Sequence, residues 1–128
     1  MPIITITSLK GRTPEQKQQI GEAVHTSIVA AGVPPADRFQ RFFDMEPENL
    51  LYDKFYPNLK DGRSTNFVMI EILFSVGRSV KVKRQILESL ITRMKELGFN
   101  PKDVFVVFQE TAWENWAFAN GEMIHTGC

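Results

Sequence analysis

The chain has one cysteine, Cys128 at its last position, so no intramolecular disulfide can form. It has no excess of either charge. Fifteen basic side chains balance fifteen acidic ones, which leaves no global field to attract nucleic acid or a membrane surface. No apolar run approaches the roughly 18 residues of a membrane span. The opening residues, MPIITITSLKGR, lack the basic stretch followed by an apolar one that a secretory signal carries, so a cytoplasmic protein is expected. Histidine is scarce too. His25 and His125 stand alone, without the clustered partners of a metal site, and are expected at a helix surface and in the tail. No phosphate loop or nucleophile elbow occurs, and neither a metal nor a cofactor is expected. What is there is a chain of 128 residues, 43% apolar and 23% charged, enough for one soluble core.

That chain is a repeat. Shifted by 66 positions, residues 2–46 fall on 68–112 with fourteen of 45 positions identical. Ile4 and Ile6 meet Ile70 and Ile72, and Gly11-Arg12-Thr13 meets Gly77-Arg78-Ser79. Lys17, Ile20, Glu22 and Thr26 meet Lys83, Ile86, Glu88 and Thr92. Pro35, Asp37, Phe39 and Phe42 meet Pro101, Asp103, Phe105 and Phe108. Each copy reads as strand, helix, strand. Residues 2–8 are β-branched, and 67–74 form a nearly continuous apolar run suited to a central strand. Thr13-Pro14-Glu15-Gln16 offers a cap, a proline for the first turn and the glutamine of a capping box. Ile20, Ala23, Val24, Ser27, Ile28 and Ala31 then share one helical face. The second helix is expected from Ser79 to about Leu97, with Ile86, Leu87, Leu90, Ile91, Met94 and Leu97 inward. Strands over 38–45 and 104–109 complete the copies.

Two such units with right-handed crossovers predict an α+β domain, a four-stranded sheet with both helices on one face. The other face, carrying several phenylalanines, would then be too apolar for a monomer, which predicts self-association. Between the copies, residues 47–65 hold Leu50, Leu51, Tyr52, Phe55 and Tyr56, too aromatic for a disordered linker and expected to pack over something. The tail, 113–128, carries Trp113, Trp116 and Phe118 around Asn120-Gly121 and is expected to form a β-hairpin docked over a pocket or a neighbour.

The tandem β-α-β pattern beginning Met-Pro-Ile-Ile resembles the tautomerase superfamily. The specific pieces are Pro2, Gly11-Arg12-Thr13, Pro34-Pro35-Ala36-Asp37-Arg38-Phe39-Gln40, Gly77-Arg78-Ser79 and residues 114–122, ENWAFANGE. The likeness spans the whole chain and is strongest to the long branch that includes malonate semialdehyde decarboxylase. It implies a homotrimer with sites at subunit boundaries, a small-molecule carboxylate substrate and cofactor-free chemistry.

In that light Pro2, freed by removal of Met1, would be a secondary amine suited to general acid–base work near neutrality. If Met1 stays, Pro2 is an amide without a titratable nitrogen, and a non-catalytic trimeric module is the alternative. Arg12 and Arg78 follow a glycine at a strand-to-helix turn, where a guanidinium and free helix N–H groups favour a carboxylate. By resemblance, Arg12 matches an arginine of 4-oxalocrotonate tautomerase and Arg78 one of two in the decarboxylase, whose other position is Val76 here. Asp37 matches the decarboxylase's water-activating residue, although its recurrence as Asp103 also fits simple turn chemistry. Trp116 and Phe118 resemble aromatics that wall the family's site. Keto–enol tautomerisation is the leading expectation, and a decarboxylase or hydratase the runner-up.

Overall fold

The structure, a computed structural model, describes residues 2–123. Met1, His125 and Cys128 lie outside the described residues. Six main elements follow in order: β1 (Ile3–Leu9), α1 (Pro14–Ala30), β2 (Gln40–Met45), β3 (Val68–Ser75), α2 (Val80–Glu96) and β4 (Val104–Thr111). The sheet runs β2-β1-β3-β4. Within each copy the strands are parallel, and the copies join through antiparallel β1 and β3, with Ile3 opposite Leu73 and Ser8 opposite Val68.

Both helices cover one face. Ile4, Ile6, Ile70, Ile72 and Phe74 turn toward them and meet Ile20, Val24, Ile28, Ile86, Leu90 and Met94 in one core, where each buried side chain contributes about 1.5–3 kcal/mol. The capping box forms as the sequence predicts: Thr13 Oγ1 accepts from Gln16 N at 3.1 Å, and Gln16 Oε1 accepts from Thr13 N at 2.9 Å. Each helix is tied to its copy's outer strand by an equivalent ion pair, Lys17 with Asp44 and Lys83 with Glu110.

Three expectations are corrected. Leu87 and Leu97 are exposed, because only Ile86, Leu90 and Met94 of α2 are fully covered. His25 is buried rather than at the surface. The second sheet face is mixed, since alternation sends Phe42, Phe74 and Phe108 toward the helices. It leaves Phe43 and Phe105 outward beside Arg41, Thr5 and Glu71. The hairpin expected over 113–128 is described only as far as residue 123. There a 3₁₀ turn (Trp113–Asn115) leads to a turn in which Asn120 and Gly121 both have positive φ, closed by Glu122 N donating to Ala119 O. The hairpin's turn chemistry is present; its far arm, 124–128, lies outside the described residues.

Candidate active site

Because β1 and β3 are antiparallel, the turns that follow them lie at opposite ends of the sheet. This sorts the paired candidates. Pro2, buried, lies beside Phe74 at the end where Arg78 leaves β3. Asp37, just before β2, arrives at the same end. Arg12 leaves β1 at the far end, together with Val68 and Asp103.

Arg78 is delivered by Gly77, whose φ of 120° strains any side chain. Its guanidinium carbon stands 4.5 Å above the Phe74 ring, a cation–π contact, and Nη1 donates to the Ser75 carbonyl at 3.3 Å. Burial pushes this guanidinium below its ordinary range, while the carboxylates of Glu110 and Asp37 pull it back. It stays a cation, because arginine does not lose its proton in a protein. Asp37 and Arg78 thus share the Pro2 end of the sheet, where the carboxylate's charge favours the guanidinium cation.

The tail returns over this end. Trp116 stacks on Phe118 at 5.5 Å between centroids, and Phe118 stacks on Phe39 at 5.7 Å. These three rings, with Ile3, Leu73 and Thr111, line a cleft of about 610 Å³. Trp116 is 6% exposed, and its Nε1 finds no acceptor among the described residues. The lining is mostly apolar; Pro2, Asp37 and Arg78 stand at the same end of the sheet but are not among the residues that line it.

Arg12 is not part of this group within its own chain. Its Nη2 donates to the backbone oxygen and Oδ1 of Asn66, at 2.8 and 2.6 Å, and its guanidinium lies over Phe99. Burial again pushes its value down, with Asp44 and Asp103 opposing. Arg38 pairs with Glu22 of α1 at 2.7 Å, and Arg41 donates to Thr5 on the open sheet face. Neither reaches the cleft lining. Sequence reading missed Glu110 and the Phe74 platform. Glu110 was findable, since the 66-residue shift sets it on Asp44 and sets Lys83 on Lys17. Among the described residues no cluster of His, Cys, Asp or Glu could hold a metal ion.

Two family models, both described as tautomerase enzyme, match residues 37–119 and 2–54. The chain is 29% identical over 123 residues to the probable tautomerase YusQ of Bacillus subtilis (strain 168), covering 94% of this chain and 95% of that one. Among solved structures, FG41 malonate semialdehyde decarboxylase inhibited by 3-bromopropiolate superposes with a TM-score of 0.86 at 26% identity, covering 94% and 92% of the two chains. A fused 4-OT, described as a symmetric trimer, shares the fold at a TM-score of 0.75 and 20% identity over 94% of each chain.

Proposed function

The chain belongs to the tautomerase family, and from that premise we propose that it is a cofactor-free keto–enol tautomerase of small enol or 2-oxo acids. The observation that carries the reading is the gathering of Pro2, Arg78 and Asp37 at one end of the sheet beside an aromatic cleft. An α-amino group ordinarily titrates at about 7.7–8.0. Burial, and a guanidinium at the same end of the sheet, would both disfavour the charged form of such an amine. Once Met1 is removed, that base takes the enol hydroxyl proton and the resulting ammonium returns a proton to carbon. Arg78 holds the substrate carboxylate, and Trp116 and Phe118 wall the apolar part. Ketonisation of phenylenolpyruvate, followed by ultraviolet absorbance, is the test, with intact mass establishing that Met1 is gone. Full activity in Pro2→Ala rules out the assigned base.

A second reading, a hydratase or decarboxylase of malonate semialdehyde, is favoured by Asp37 and Arg78 sharing the Pro2 end of the sheet. There Asp37 activates water and Pro2 acts as a protonated partner. Turnover of malonate semialdehyde that survives Asp37→Asn removes this reading and leaves the first intact. We also propose a homotrimer. It is supported by the trimeric fused 4-OT of the same fold and by Phe43 and Phe105, 46% and 41% exposed on the open sheet face. A monomeric mass in solution contradicts it.

A further inference from the structure

We propose that His25 is a positioning residue: it holds the turn that delivers Asp37, acting through the carbonyl of Pro35. This rests on Asp37 being a working group of the site. His25 sits on α1, 7% exposed, with Nε2 2.9 Å from the Pro35 oxygen. A carbonyl only accepts, so Nε2 carries the proton of this bond. Pro35 is two residues before Asp37. From there the chain folds tightly, Asp37 N donating to Pro34 O and Arg38 N to Ala36 O, both at 3.0 Å. Two prolines remove two backbone donors from the segment, so few bonds are left to fix it. The bond from His25 ties this turn to α1 from the buried side, while the Arg38–Glu22 ion pair ties it at the surface.

The second copy supplies an internal control. The residue equivalent to His25 is Ile91, and the equivalent of Pro35-Ala36-Asp37 is Pro101-Lys102-Asp103. That turn is fixed differently. Asn100 Oδ1 accepts from Lys102 N, and the Asp103 carboxylate is held by Ser64 N and Oγ, each at 2.7 Å. An aliphatic residue therefore suffices at this helix position when no aspartate must be aimed at a site. In the first copy the imidazole is kept at a cost, because its Nδ1 is buried with no partner among the described residues. The cost makes sense only for what Nε2 does.

The test uses the full chain with His25→Ile, the second copy's own residue, and His25→Gln, whose amide can still donate to Pro35. In His25→Ile the Asp37 and Arg38 amides exchange with solvent about tenfold faster, read by NMR. Malonate semialdehyde turnover falls about 10- to 100-fold in kcat with KM little changed, as for a slightly misplaced catalytic group. Phenylenolpyruvate ketonisation stays near wild type, and His25→Gln restores most of the loss. Unchanged exchange in His25→Ile overturns the proposal, as does a folded His25→Gln that is no better protected than the isoleucine variant. Where His25→Ile fails to fold, wild-type protection in His25→Gln supports the proposal and its loss overturns it. If Asp37→Asn leaves turnover intact, the role given to Asp37 fails instead, and the exchange data still decide what His25 does.

Discussion

The two ends of the sheet began from the same parts, a glycine-arginine turn and a proline-X-aspartate turn, and they have diverged. At the far end part of the connecting segment packs against these parts, while its Leu51, Phe55 and Tyr56 stay exposed. Ser64 takes both carboxylate oxygens of Asp103, which is 3% exposed, Asn66 takes Arg12, and Tyr52 stacks on Phe67 at 4.4 Å. What remains there is a polar recess of about 290 Å³. At the near end the arrangement differs. Asp37 and Arg78 lie at this end, Pro2 stands where the second copy has Val68, and Trp116 and Phe118 of the tail wall an apolar cleft of about 610 Å³. On the function proposed above, one end of the duplicated unit serves as architecture, packed by the segment that joins the copies, and its twin carries the chemistry.

The largest effect that can break this comparison is on the arginines. Arg78→Ala should lower kcat/KM for phenylenolpyruvate by about 10²- to 10³-fold, the usual loss when a group stabilising developing charge is removed. Arg12→Ala should leave that rate nearly unchanged and lower the melting temperature, because it releases Asn66. An equal rate loss in both variants would mean that Arg12 serves the site of a neighbouring subunit.

Next comes the plug itself. Asp103→Ala leaves the Ser64 amide without its acceptor and should cost about 1–3 kcal/mol of stability in urea unfolding, with activity retained. A smaller contrast separates the two glycines. Gly11 and Gly77 share nearly the same positive φ, 126° and 120°. Alanine at either should cost about 1–2 kcal/mol. Only Gly77→Ala should also impair kcat, since only it carries a site arginine.

Much of this was legible in the sequence. The 66-residue shift revealed the units, Thr13-Pro14-Glu15-Gln16 announced the first helix, and Pro2 stood out because its twin, Val68, is mid-chain. The missing information was the joint. A repeat read along one chain does not say whether its copies meet parallel or antiparallel, and that choice decides which arginine stands beside Pro2. The burial of His25 was hidden for a related reason: its bond runs from α1 to a loop carbonyl, and carbonyls leave no trace in sequence. Asn120-Gly121 announced the turn at the tail, where both residues have positive φ.

The smallest test concerns an ion pair found in one copy only. Arg38 reaches Glu22 of α1, whereas the equivalent of Arg38 in the second copy is Val104, so Glu88 has no such arginine opposite it. The hydrogen bond from Arg38 holds the Glu22 carboxyl below its ordinary value. A carboxyl with a lowered folded-state value adds stability above its unfolded range, about 4.3, and loses it as pH falls through the folded value. Both partners are well exposed, so the contribution is a few tenths of a kcal/mol. Glu22→Gln should therefore be slightly less stable than wild type at pH 7, with the gap closing on acidification and with added salt. Glu88→Gln is the control from the copy that lacks the arginine. A gap for Glu22→Gln that widens as the pH falls would mean that Arg38 is held by something other than this carboxylate.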